Sequence, residues 1–233
     1  MITDGLSAWL LHQRLAKNST TQVFFLTRER GLVRAYCQGG RSLKKRAVLQ
    51  PFTPLWLSIN ERSYGTYVKQ VEIAQGSEYL HGEILLAGMY INEVLYRALK
   101  PDVPEPMLYE TYEYAIRALV RCTQRMQLEI ILRKFERNLI HLSGYQISYT
   151  EEADTARPIL DDKYYTFVPG EGFVLAKSHH ANQGYLGAHI LSIAADVWTD
   201  AEVLKTAKHM MRRGIHHLLD GAVIETRALY QQG

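Results

Sequence analysis

Cysteine is almost missing from this 233-residue chain: Cys37 and Cys122 are its only two, and neither belongs to a CxxC arrangement. A disulfide framework and a zinc-knuckle pattern are therefore excluded, and such cysteine usage suits a reducing cytoplasm. Proline is sparse, with 7 residues, and no polar tract occurs in a chain that is 47% hydrophobic, so a packed core is expected rather than disorder. Long apolar runs are missing too: no segment supplies the roughly 18 residues of a membrane span. The opening Met1-Ile2-Thr3-Asp4 has no basic region feeding an apolar stretch. These absences predict a soluble, cytoplasmic protein with no membrane partner.

Catalytic signatures are equally scarce. There is no GxxxxGK phosphate loop, no GxGxxG, no HExxH and no GxSxG, so nucleotide hydrolysis and serine-hydrolase chemistry lose their most direct support. The adjacent pairs His179-His180 and His216-His217 do not by themselves converge on an ion, because neighbouring side chains in regular structure diverge. Asp161-Asp162 and Glu151-Glu152 lack a nearby base, nucleophile or ligand set and read as loop and cap residues. The chain is expected to need no cofactor and to hold no metal.

Charge is present but unevenly spread. The whole chain is only +3, yet residues 1–80 carry 11 basic and 5 acidic side chains, residues 81–161 carry 9 and 12, and residues 162–233 carry 7 of each. Between Arg28 and Arg46 seven basic side chains oppose Glu29 alone. The first third is the candidate footprint for a polyanion, with a merely solvated surface as the competing reading.

Hydrophobic patterning divides the chain near residues 77–82, giving an expected domain at 1–79 and another at 80–233. Leu6–His12, Gln22–Thr27, Leu32–Gln38, Pro54–Ile59 and Tyr67–Ala74 read as five strands separated by turn residues. Five such strands can close a small OB-type barrel, which removes exposed edges; an SH3-like barrel or an open antiparallel sheet would leave a similar trace. From Leu80 the period becomes helical: Ile84, Ala87, Gly88, Ile91, Val94, Leu95 and Ala98 precede a connector containing Pro101, Pro104 and Pro106. A second helical pattern begins at Tyr109, breaks near Thr123–Gln127 and resumes to Leu142, with Gly144 as a cap. Polar connectors and helices near 185–198, 202–219 and 222–230 complete an α+β chain whose second domain is predominantly helical.

The segment Gln38-Gly39-Gly40-Arg41-Ser42-Leu43-Lys44-Lys45-Arg46 combines glycines, which admit close backbone approach, with four cations able to hold phosphates without reading base sequence. Arg34 and Lys69 are placed to extend the same groove. Tyr36, Phe52, Trp56, Tyr64 and Tyr67 intersperse the region, either stacking bases or filling the core.

Gln38-Gly39-Gly40-Arg41 followed by Leu49-Gln50-Pro51-Phe52-Thr53-Pro54-Leu55 resembles the KGARxxK…LQPFTPL segment of the bacterial RecO family of DNA repair proteins. Tyr90-Ile91-Asn92-Glu93-Val94-Leu95-Tyr96-Arg97 resembles its YINELLxR helix. Phe135 to Ile140 with Gly144-Tyr145 is similar to FExxLL…GY, and Glu225 to Leu229 to the terminal KSRxLL. Gln38 and Gly40 stand where the family commonly has Lys and Ala. Some members carry a four-cysteine zinc module, which two distant cysteines exclude here, leaving packing to hold the region between about 145 and 185.

The resemblance implies an N-terminal OB domain and a helical C-terminal domain in a nonenzymatic recombination mediator. Such a protein binds single- and double-stranded DNA, anneals complementary strands, and works with RecR and RecF to place RecA on DNA coated by single-stranded-DNA-binding protein. Its expected location is cytoplasmic and nucleoid-associated. The expected DNA contacts are Arg34, Arg41, Lys44, Lys45, Arg46 and Lys69. Arg133, Lys134 and Arg137 are expected to hold the acidic, phenylalanine-ended tail of the single-strand binder, although pairing with Glu129 and Glu136 is an alternative use of these cations. An RNA-binding or translation-associated OB protein, and a metabolic enzyme with an unfamiliar site, are the rival classes.

Overall fold

In the computed structural model, which describes residues 2–16, 19–76, 79–176 and 184–229, five strands form a closed barrel in the order β1-β2-β3-β5-β4. They are β1 (Ile2–Leu15), β2 (Thr21–Thr27), β3 (Gly31–Cys37), β4 (Pro54–Arg62) and β5 (Gly65–Ile73). Period-two alternation builds the core: Leu6, Ala8 and Leu10, then Val23 and Phe25, Val33, Ala35 and Cys37, and Leu55, Leu57 and Ile59 all point inward and are buried. Long β1 pairs with both β2 and β4, and register shifts between Leu10 and His12 and between Thr3 and Leu6 bend it enough to do so. The barrel closes through one parallel pairing, Tyr36 with Tyr67. This is the OB arrangement expected from the five strand-like runs.

One element of the barrel departs from the sequence reading. The basic segment is not simply a glycine-rich connector: after its turn it forms α1 (Leu43–Val48), whose N-terminus is capped by the Ser42 hydroxyl accepting from the Lys45 N–H at 3.3 Å. So short a helix spans less than two turns and leaves little periodicity to read.

The chain divides into two compact units, Met1–Cys122 with Ile224–Gly233, and Thr123–Val223. The first unit adds α2 (Gly82–Ala98), α3 (Pro106–Val120) and the short α7 (Glu225–Leu229) to the barrel. Buried Asn92 of α2 ties three elements together, donating to the Leu10 carbonyl at 3.3 Å and accepting from the Tyr112 hydroxyl at 2.8 Å. Trp9 meets Tyr112 edge-on at 5.5 Å.

The second unit contains α4 (Arg125–Leu142), β6 (Tyr164–Val168), β7 (Gly172–Leu175), β8 (Tyr185–Leu186), α5 (Gly187–Ala194) and α6 (Ala201–Leu218). Gly144 takes a left-handed conformation after α4, as its expected capping role requires. The helix expected near 202–219 is present at full length as α6, while those expected near 185–198 and 222–230 are shorter than their patterns suggested. A three-stranded sheet, β7-β6-β8, occupies part of the region expected to rely on packing alone. Its strands are too short for a clear period of two, yet Tyr165, Phe167 and Phe173 are fully buried and join Ile190, Ile193, Val203, Ala207 and Met210 in one core.

Candidate nucleic-acid interface

The outer face of the barrel is organised in rows set by strand register. Arg14 of β1 lies opposite Gln22 of β2, which lies opposite Tyr36 of β3, which pairs with Tyr67 of β5. In the adjoining row His12, Phe24 and Arg34 are opposite one another. Phe24 is buried although it points outward, because Arg14 and Arg34 each lie 5.6 Å from its ring centre while Tyr96 meets it edge-on at 4.7 Å. Arg14 is further fixed by donating to the Gln22 side chain at 2.6 Å. The two guanidiniums are thus held over an aromatic base, with their charge turned to solvent. His12 stacks on Tyr96 at 4.6 Å, and burial, followed by the nearby Arg14 charge, lowers its pKa.

Arg41, Lys44, Lys45 and Arg46 are brought together on α1 and the turn before it. None of the α1 residues is buried, while Leu49, immediately after it, enters the barrel core and Val48 packs against that core. This helix follows the end of β3, the strand of Tyr36, and also touches β5, the strand of Tyr67. Lys45 is close enough to oppose, by its charge, the upward push that burial gives the Cys37 thiol. Arg41 donates to the Ala16 carbonyl at 3.3 Å. Gly40 is dictated by packing: a Cβ there would lie 2.7 Å from the Thr21 hydroxyl and 2.8 Å from its Cβ. Thr21 takes the space that the alanine of the family pattern would need.

Seven cations between Arg28 and Arg46 do not all serve one surface. Arg28 pairs with Glu110 at 2.6 Å, and Arg30 pairs with Glu61 at 2.8 Å and Asp102 at 2.6 Å. Among the described residues no such ion pair engages Arg34, Arg41, Lys44, Lys45 or Arg46. Lys69 is exposed on β5, two residues beyond Tyr67. Of the aromatic residues, Phe52 is core, Trp56 is half-buried, and Tyr36, Tyr64 and Tyr67 form an outward cluster. Sequence reasoning missed Arg14 and Arg62; each follows an apolar strand run as an isolated cation, and only the barrel register reveals its neighbours.

The cations of α4 are placed differently from one another. Arg133 is 4% exposed and lies 3.2 Å from the buried Glu136 carboxylate, so it is an interior charge rather than a surface one. Glu129, the other acid considered for it, pairs with Lys208 at 2.7 Å. Lys134 and Arg137 do converge, on Asp196, at 2.5 and 3.2 Å. Arg137 also donates to the Ile193 carbonyl at 2.6 Å and lies 5.7 Å from the Trp198 ring. Burial alone would raise the Asp196 pKa, but hydrogen bonds from Lys134 and Trp198 and the two cations hold it below the usual range. Beside this cluster Arg137, Ile140, Tyr145, Ile147, Tyr149 and Ala194 contribute to a recess of about 400 Å³.

Among the described residues no group of three or more His, Cys, Asp or Glu side chains is placed to hold a metal ion. His216 and His217 are exposed, and His217 meets Tyr145 edge-on at 5.4 Å; His179 and His180 lie outside the described residues. No helix among the described residues is long and apolar enough to cross a membrane.

Two family models cover the chain almost end to end: Recombination protein O N terminal over residues 2–77, and Recombination protein O C terminal over residues 81–220. Over 230 residues the chain is 40% identical to the DNA repair protein RecO of Legionella pneumophila (strain Lens), covering 99% of both chains. It is 34% identical to the protein of the same name from Pseudoalteromonas atlantica over 234 residues, covering 100% of this chain and 96% of the relative. With that of Coxiella burnetii (strain RSA 493 / Nine Mile phase I) it shares 32% identity over 225 residues and 95% of each chain.

Proposed function

The chain belongs to the RecO family, and we propose that it is a nonenzymatic mediator of DNA repair and recombination. In this reading it binds single- and double-stranded DNA, anneals complementary strands, and helps RecA load on DNA coated by single-stranded-DNA-binding protein, with RecR as partner and a functional link to RecF. The proposed division of labour follows residues 1–79 for DNA and 80–233 for partner recruitment, in a cytoplasmic, nucleoid-associated protein.

The supporting observation is the charge geometry of the barrel. Arg34, Arg41, Lys44, Lys45 and Arg46 stay clear of the ion pairs that engage Arg28 and Arg30. Such cations can hold a phosphate backbone without any base-specific fork. Lys69 extends the surface along β5. Holding two strands on such a surface lowers their repulsion while leaving base edges free to pair, so annealing needs no bond-making step. Lys134 and Arg137, converging on one carboxylate beside a recess, are the cations best placed to hold the acidic tail of the single-strand binder. Arg133 would serve that site only from within, through Glu136.

The decisive experiment is annealing of complementary DNA coated by the cognate single-strand binder, without ATP or divalent metal. Wild type should anneal it and release no phosphate from ATP. Joint replacement of Arg41, Lys44, Lys45 and Arg46 by Ala should weaken DNA binding across unrelated sequences. It should also flatten the salt dependence by about 0.7–0.9 in log–log slope for each phosphate that is no longer neutralised. Unchanged affinity and slope in the folded variant would move the DNA surface elsewhere. Preference for RNA in matched competition would favour the translation-associated class.

A further inference from the structure

Building on the barrel's proposed role in DNA binding, we propose that Tyr36, Tyr64 and Tyr67, with Arg62, form a stacking platform for unpaired bases. The basic helix α1 then holds phosphates of any strand, and the tyrosine platform recognises that the strand is single.

The platform lies where the barrel closes. Tyr36 follows buried Ala35 and precedes buried Cys37, so strand alternation turns its ring outward. Tyr67 is its register partner across the seam, with ring centres 5.7 Å apart. Tyr64, on the turn joining β4 and β5, meets Tyr67 at 5.8 Å and is 67% exposed. Arg62 contacts both of these rings. Its guanidinium donates to the Tyr64 hydroxyl at 3.0 Å and lies 5.3 Å from the Tyr67 ring centre. Gly65, with φ of 142°, gives the turn a backbone conformation that other residues rarely adopt, next to the Tyr36 and Tyr67 rings. Three aromatic rings are thus gathered and one is presented to solvent.

Core packing does not explain such an arrangement, because none of the three rings joins the barrel interior. Stacking does. Aromatic side chains in a positively charged groove bind successive bases with little sequence preference, since every base has a π-face. The turn between the last two strands of an OB barrel is one of the places where oligonucleotides bind. The basic helix α1 touches β5, the strand that carries Tyr67, and offers cations for the backbone of a stacked strand. Duplex DNA cannot use the platform without unstacking its own bases, an unfavourable step that α1 does not demand.

The test uses the full-length protein and three labelled probes of equal length: dT20, a 20-residue abasic strand, and a 20-base-pair duplex. Wild type should bind dT20 about tenfold more tightly than the abasic strand, the order expected for loss of base stacking. Y64A should reduce that preference, Y64A/Y67L should abolish it, and Y67F should keep it; duplex affinity and its salt slope should stay at wild-type values in all three. Tyr64 is exposed, so Y64A carries the test even if Y67L disturbs the strand. Equal wild-type affinity for dT20 and the abasic strand, or a proportional loss for duplex in Y64A, would overturn the platform while leaving α1 as a DNA site. Failure of wild type to bind any of the three probes would overturn the DNA-binding reading itself.

Discussion

The Glu93 carboxylate caps the last helix of the chain through Thr226, accepting from its N–H at 2.9 Å and from its hydroxyl at 2.8 Å. A third bond comes from the Glu225 N–H at 2.8 Å, and Arg97 holds both Glu93, at 2.9 Å, and Glu225, at 3.3 Å. Beside them Arg227 donates to the Tyr90 hydroxyl at 3.1 Å. The YINEVLYR and ETRAL segments, far apart in sequence, are therefore the two halves of one contact within the first unit.

Replacing Glu93 should detach α7. Hydrogen bonds to a charged acceptor contribute roughly 1.5–3 kcal/mol, and E93Q, which keeps one carbonyl oxygen, should destabilise the first unit by about 2 kcal/mol. Amide exchange of residues 224–229 should accelerate selectively. Protection equal to wild type would show that α7 is held by packing alone.

The same contact gives acid sensitivity. Burial by itself would raise the Glu93 pKa, but the Thr226 and Glu225 backbone N–H groups, the Thr226 hydroxyl and Arg97 reverse the sign and leave it below 4.5. Its folded pKa is depressed, so its stabilisation is complete above 4.5 and disappears as pH falls through the folded value. Urea midpoints of wild type and E93Q should differ at pH 7 and converge as the pH falls through the folded value, below 4.5. A constant difference across that range would remove Glu93 as the titrating group.

Arg133 is a poor site for a clean charge-removal test. R133A takes the cation from beside Glu136, which is 0% exposed, and should destabilise the second unit by about 3–5 kcal/mol, as removal of one member of a buried pair does. R133M/E136L, which removes both charges at similar volume, should cost much less. Denaturation curves of the two variants decide the matter; equal losses would mean that packing volume, rather than loss of the Arg133 charge beside the Glu136 carboxylate, sets the effect.

Asp196 occupies the two cations proposed to receive the partner tail. K134A/R137A should weaken binding of the labelled tail peptide, whereas D196N should strengthen it by freeing both charges while suiting the left-handed backbone at φ 60°. Fluorescence anisotropy reads both. Unaltered affinity in K134A/R137A would place the tail elsewhere, and weaker binding in D196N would make Asp196 a support of the site rather than its competitor.

Strand alternation and helical periodicity are local properties, and they made the five barrel strands and most helices legible from residue order. Leu6, Ala8 and Leu10, or Val33, Ala35 and Cys37, announce a buried face before any partner strand is known. The charge excess before residue 80 and the spaced family segments were equally readable. What could not be read is which cations remain available. Arg28, Arg30, Arg34 and Arg41 look alike in sequence, yet two are neutralised by carboxylates brought from Glu61, Asp102 and Glu110. Arg133, Lys134 and Arg137 share one helix, yet its rotation buries the first and turns the other two toward Asp196. The short strands β6 to β8 and the helix α1 also needed the fold, since segments of two to six residues carry too few periods of either pattern to stand out. Sequence alone determined the family, the five strand runs and the basic first third, because those rest on local order and composition. Tertiary structure alone decided the pairing of charges, the docking of α7 on Glu93 and the gathering of Tyr36, Tyr64 and Tyr67, because each depends on residues that only chain closure brings within contact distance.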